Sequence, residues 1–147
     1  MNISRTKAAG VGIALAGGAA LALFSPASPA LGFLSGGLHL DVTVQSPATL
    51  VARGAAIDVP VDVDCNATQN VAVNVGVTER VGSQTATGSG SAQVACNGGH
   101  QRLLIRVTAA SGKAFAKGTA VANASIFGCS STTCGSESSS STIQIQK

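Results

Sequence analysis

The stretch Ile57-Asp58-Val59-Pro60-Val61-Asp62-Val63-Asp64-Cys65 decides the fold. Apolar and polar residues alternate through it with a period of two. Successive side chains of a β-strand leave on opposite faces, so this run buries its valines on one side and wets its aspartates on the other. A helix would wind the same valines all round its axis. Pro60 has no amide hydrogen to give to a ladder, which predicts a bulge or a sheet edge at that point.

The same period extends in both directions. Leu38, Leu40, Val42 and Val44 alternate with His39, Asp41, Thr43 and Gln45, and Val71, Val73, Val75 and Val77 alternate with Ala72, Asn74, Gly76 and Thr78. The β-branched enrichment agrees with strands. From Ala86 to Cys96 one face carries Ala86, Gly88, Gly90, Ala92, Val94 and Cys96; glycines here predict a weakened strand or a bulge. Leu103, Ile105 and Val107, then Ala120, Ala122, Ala124 and Ile126, then Ile143 and Ile145 continue the pattern. Gly54, Gly82-Ser83, Asn97-Gly98-Gly99 and Ser111-Gly112 supply turn signals. The Ser/Thr-rich run from Ser130 to Ser141 reads as a loop before the last strand. Seven short strands over residues 38–147 predict an all-β domain, a seven-stranded immunoglobulin-like or fibronectin-like antiparallel sandwich, with a Greek-key barrel as the alternative.

The front of the chain reads differently. Arg5 and Lys7 precede 17 uncharged residues, Ala8 to Phe24, and Pro26 and Pro29 follow. Residues 1–30 therefore read as a secretory signal peptide, with cleavage near Ala30 or Gly32, where small residues occupy the positions a signal peptidase reads. A membrane span needs about 20 strongly apolar residues; this run is shorter and holds Gly10, Gly12, Gly17 and Gly18. No stable span is expected after cleavage. The whole chain has 9 Lys and Arg against 6 Asp and Glu. Losing Arg5 and Lys7 leaves a net charge of +1, too little to mark a nucleic-acid or anionic-membrane surface.

Four cysteines in an exported chain favour two disulfides over free thiols. If the strands reverse direction in turn, Cys65, Cys96, Cys129 and Cys134 all fall at one end of the domain. Cys65–Cys96 and Cys129–Cys134 is the pairing expected, the second closed by a turn over Ser130 to Thr133. Loop entropy assigns roughly 3–4 kcal/mol to the first and about 2 kcal/mol to the second. The same end gathers Asn66, Asn70, Asn97, His100, Ser130 and Thr132, a candidate binding surface on loops. The plainer reading is that the disulfides only staple a small fold.

Chemistry-bearing groups are few. Asp58, Asp62 and Asp64 share one strand face but are too widely spaced to converge on a cation without loop ligands, so they read as a solvated face. No C-x2-C spacing or histidine pair suggests zinc, and no metal or cofactor is assigned. His39 and His100 are the neutral-pH bases, and no G-x-S-x-G elbow accompanies them; no catalytic residue is assigned. The chain has no Trp or Tyr, and beyond the signal only Phe33, Phe115 and Phe127 remain. That composition argues against an aromatic sugar platform and against an aromatic-anchored interface.

Ala48-Thr49-Leu50-Val51-Ala52-Arg53-Gly54, Glu79-Arg80-Val81-Gly82, and Lys117-Gly118-Thr119-Ala120-Val121-Ala122 followed by Cys129 carry a resemblance. Over Asp41 to Lys147 the chain resembles a group of small, uncharacterised exported β-sandwich proteins of actinobacteria, which implies export and the fold but no activity. Cys129-Ser130-Ser131-Thr132-Thr133-Cys134 is also similar to the short disulfide loop of the neocarzinostatin-like apoproteins, exported immunoglobulin-like carriers of a chromophore.

Together these readings lead to a non-catalytic structural or interaction module, secreted or held at the cell-envelope exterior, with an envelope or extracellular partner of unknown identity. The alternative is a small-molecule carrier with a cleft lined by Ala86, Gly88, Gly90 and Ala92. A third reading is a hydrolase using His100.

Overall fold

The computed structural model describes residues 37–67 and 70–147; the signal-peptide reading of residues 1–30 lies outside them. The described chain is all-β. Its strands are β1 (Leu40–Val44), β2 (Ala48–Val51), β3 (Ala56–Cys65), β4 (Asn70–Val81), β5 (Gln84–Ala95), β6 (His100–Gly112), β7 (Gly118–Cys129) and β8 (Cys134–Gln146), with a short 3-10 turn at Ala52–Gly54.

Alternation does what the sequence leads one to expect. Val59, Val61, Val63, Val71 and Val73 are wholly buried, and Ile105, Ile126, Ile143 and Ile145 meet them from the facing strands. The core is aliphatic, with Ala120, Ala122 and Ala124 filling the β7 face. Phe115 plugs one end of it against Gly88.

The strands do not separate into two layers. β3 pairs along one edge with β6, from Ala56↔Thr108 to Asp64↔His100, and along its other edge with β2 and then β1. Hydrogen bonding then runs β3–β2–β8–β7–β4–β5–β6 and back to β3. Seven strands therefore close into a barrel, and β1 is added to β3. The sequence reading expects seven strands in a sandwich; the differences have two causes. A strand of four residues, β2, lies between Pro47 and the 3-10 turn and pairs parallel with β8 through Ala48↔Ile145 and Thr49↔Gln146. β5 pairs with β4 along its whole length, yet a register shift between Thr87 and Gly88 lets it also pair with β6. Bulges of this kind turn corners where a sheet curls on itself.

Pro60 sits where the edge changes hands. β1 pairs with β3 from Val61 upward and β2 from Asp58 downward. The Pro60 carbonyl accepts from the Gln45 amide at 2.9 Å, so the missing proline donor falls in the gap between β1 and β2. The run from Ser130 to Ser141, expected to be a loop, is mostly β8: from Cys134 onward it pairs residue by residue with β7.

Both expected disulfides are present, with Cα atoms 5.6 Å apart for Cys65–Cys96 and 4.0 Å for Cys129–Cys134. They share one end of the barrel. Gly128 lies against Leu40, and Leu40 is the register partner of Cys65.

β5 crosses β6 closely enough to exclude side chains. A Cβ at Gly90 would stand 2.1 Å from the Arg106 carbonyl oxygen, whereas one at Gly76 would meet nothing within 4 Å. Gly90→Ala is expected to destabilise the fold by about 2 kcal/mol or more, and Gly76→Ala to be neutral or stabilising by about 0.5–1 kcal/mol. Urea unfolding of the two variants beside the parent chain checks the contrast.

Candidate functional site

The outer face of β5, β4, β7 and β8 is built from the polar halves of their alternating sequences. Register aligns those halves into rows. One row runs Ser91, Asn74, Ser125, Ser138, and the next runs Ser89, Gly76, Asn123, Ser140, each residue directly opposite its neighbour. Directly opposed residues have Cβ atoms about 4.5–5.5 Å apart, so the two rows form a continuous lawn of hydroxyls and amides. Gly76 contributes no side chain to its centre. The rows line a shallow depression of about 750 Å³.

None of these eight residues is charged. Neither Asn74 nor Asn123 makes a side-chain hydrogen bond to another described residue, so both amides keep their donors and acceptors free. One row further on, Phe127 stands opposite Ala72 and is 52% exposed. The sequence argues against an aromatic platform from scarcity alone. The structure puts a ring outward beside the hydroxyl rows, because Phe127 falls on the polar phase of β7.

The residues chosen from sequence are brought to one end of the barrel but are largely occupied there. The Asn66 side-chain oxygen accepts from the His39 amide at 2.6 Å and its amide nitrogen donates to the Gly37 carbonyl at 3.0 Å. Asn97 accepts from the Gly99 amide and from the Gln101 side chain, both at 3.2 Å. The Ser130 hydroxyl accepts from the Thr132 and Thr133 amides, closing the turn inside the Cys129–Cys134 hairpin. Asn70 opens β4 and is exposed, as are Thr132 and His100. Asn66, Asn97 and Ser130 thus shape their loops.

His100 begins β6, with its Nε2 3.6 Å from an Asp62 carboxylate oxygen. Asp62 is held mainly by Arg102, which donates through Nε at 2.7 Å and a terminal nitrogen at 3.0 Å. Asp58 is gripped in the same two-pronged way by Arg106, at 2.8 and 2.9 Å. These cross-strand pairs lie on the outer face of β3 and β6 and answer the aspartate alternation of β3. The arginine hydrogen bonds, with the arginine charges behind them, hold both carboxyls below the usual aspartate range, against a smaller opposing effect of burial.

The cleft expected along Ala86, Gly88, Gly90 and Ala92 is filled. Ala86 is wholly buried, and Cβ atoms at Gly88 and Gly90 would lie 2.4 Å from Thr108 O and 2.1 Å from Arg106 O. Small residues stand there so that β5 can cross β6, which leaves no room for a ligand.

No family model matches the sequence and no curated protein matches it. Among solved structures the chain is similar to AggA, the major subunit of aggregative adherence fimbriae type I from Escherichia coli. Identity is 11%, the match covers 74% of this chain and 94% of that one, and the TM-score is 0.39. A likeness at that level leaves the functional reading to the site itself.

A carboxyl whose folded pKa is depressed contributes stability above its ordinary pKa and loses it as pH falls through the lower folded value. The Asp58 and Asp62 pairs should therefore be intact at neutral pH and lost below about pH 4. Melting temperatures of the parent chain and of an Asp58→Asn, Asp62→Asn double variant should differ by a few degrees at neutral pH and converge near pH 2. A gap that persists at low pH would contradict this assignment of the pairs.

Proposed function

We propose that this protein is a non-catalytic exported interaction module of the cell exterior whose contact surface is the outer face of β5, β4, β7 and β8. The partner suited to that face is an uncharged, hydroxyl-rich polymer, a neutral glycan chain. The observation that carries the reading is the pair of aligned rows through Asn74 and Asn123, eight residues without a charge and with both amides unspent. Amides and hydroxyls exchange hydrogen bonds with sugar hydroxyls without the desolvation cost of a charge, and Phe127 offers an apolar ring at the end of the rows. Such a contact is polar and wet and gains little from each atom, so it suits a repetitive partner met many times over.

Export rests on the charged and apolar segments at the start of the sequence and on the two disulfides, which persist in oxidising compartments. The ion pairs lie on the outer face of β3 and β6, which leaves the rows on β5, β4, β7 and β8 as an uncharged surface.

The protein should bind immobilised neutral polysaccharide weakly and saturably. Asn74→Ala and Asn123→Ala should each weaken binding by roughly three- to tenfold, one hydrogen-bonding side chain being worth about 0.5–1.5 kcal/mol. Gly76→Leu, which fills the depression from the solvent side, should abolish it. Retention on the polysaccharide unaffected by all three changes would sink the proposal. So would hydrolysis of the polymer that is lost in His100→Ala.

A further inference from the structure

The end of the barrel opposite the disulfides carries a second cavity. It measures about 360 Å³ and is lined by Leu50, Arg53, Phe115 and Lys147, within the size range of small-ligand sites. Its walls come from three segments joined by defined contacts. Between β2 and β3, three successive residues have positive φ: Ala52 at 48°, Arg53 at 57° and Gly54 at 92°. Two of them are not glycine, a costly backbone for L-residues that tends to be kept where a side chain must be held in place. Gly54 has no alternative, since a Cβ there would stand 2.1 Å from the Phe115 carbonyl oxygen. The Phe115 amide donates to the Gly54 carbonyl at 2.8 Å. The next amide, of Ala116, donates to the Glu79 carboxylate at 2.8 Å, and Glu79 is only 2% exposed. Lys147 arrives beside Leu50 because β8 runs parallel to β2, with Thr49 opposite Gln146.

Charge is distributed unevenly around this cavity. Arg102 and Arg106 are neutralised by Asp62 and Asp58 on the outer face of β3 and β6. Arg53, Lys113, Lys117 and Lys147 form no ion pair among the described residues. Register gathers them at this one end: Lys117 precedes Gly118, the partner of Ile145, and the Lys113 amide donates to Thr85, the partner of Arg80. Glu79, at the same end, is buried and engaged by Ala116. Arg53 and Lys147 therefore flank an apolar wall of Leu50 and Phe115, and neither side chain is drawn into an ion pair among the described residues.

We propose that this cavity binds a small amphipathic anion, a single carboxylate or similar anionic headgroup on an apolar body. Arg53 and Lys147 meet the headgroup and Leu50 and Phe115 meet the body. A bare inorganic anion would leave the apolar wall wet, and a neutral lipid would make no use of the two cations. The site lies at the opposite end of the barrel from the disulfides and is independent of the glycan-facing surface.

Decanoate is a suitable probe, followed by amide chemical shifts and calorimetry on the exported chain. Saturable binding at one site is expected, with shifts concentrated at Leu50, Arg53 and Phe115. Arg53→Gln and Lys147→Gln should each weaken it about tenfold, the loss of one charge-assisted contact. Decan-1-ol and acetate should bind at least about tenfold more weakly than decanoate, each lacking one half of the recognition. Arg80→Gln should stay within about twofold of the parent chain, because Arg80 shares the basic end but does not line the cavity. No saturable shift up to about 1 mM decanoate would overturn the proposal, as would equal binding of the alcohol. Equal weakening by Arg80→Gln would also overturn it, since that marks a diffuse electrostatic effect. Lys147→Gln, at an exposed position, keeps the test open if Arg53→Gln unfolds.

Discussion

β3 is the strand on which the rest of the structure depends, because both of its edges are used. One edge meets β6 over nine consecutive residue pairs and the other is divided between β1 and β2. Its valines enter the core and its aspartates meet Arg102 and Arg106 across the ladder. Pro60, which would interrupt a ladder elsewhere, stands at the handover from β1 to β2. That division lets β2 reach β8 and close the ring. The β7–β8 hairpin and the β4 ladders line up the rows that form the neutral face.

Alternating hydrophobicity made the buried half of each strand legible. The valine phases of β3 and β4 leave no other way to bury their residues, and the disulfide pairing followed from strand reversal. The polar halves were harder to read. Ser125 and Ser138 become neighbours only once β7 and β8 are in register, and register depends on pairing that no single strand reveals. The first half of β8 is hidden by composition, although Ile143 and Ile145 mark its second half. Gly135 to Ser141 is made wholly of serine, glycine and glutamate, seven residues that favour loops, yet the Cys129–Cys134 link starts the hairpin and the ladder with β7 carries through them. β2 was missed because four residues are too few to show a period. The loop residues Asn66, Asn97 and Ser130 were correctly placed at one end, but loop-forming hydrogen bonds and ligand-binding ones call for the same side chains.

Charge sorts the surface into regions with different chemistry. The β3–β6 face carries paired ions, the β5–β4–β7–β8 face is neutral over its central rows, and the end near Phe115 collects unpaired cations. A net charge of +1 over the domain concealed all three. The glycines of β5 show the same limit at smaller scale: small residues on one face suggest room, but here they permit close approach of β6 and leave none.

Native-state hydrogen exchange tests the role of β3 most directly, because exchange by global unfolding marks the segments on which the fold depends. Amides of Val59, Val61 and Val63 should exchange only at the free energy of complete unfolding, while those of residues 135–141 in β8 exchange through smaller openings. Equal or faster exchange in β3 than in that half of β8 would contradict the account.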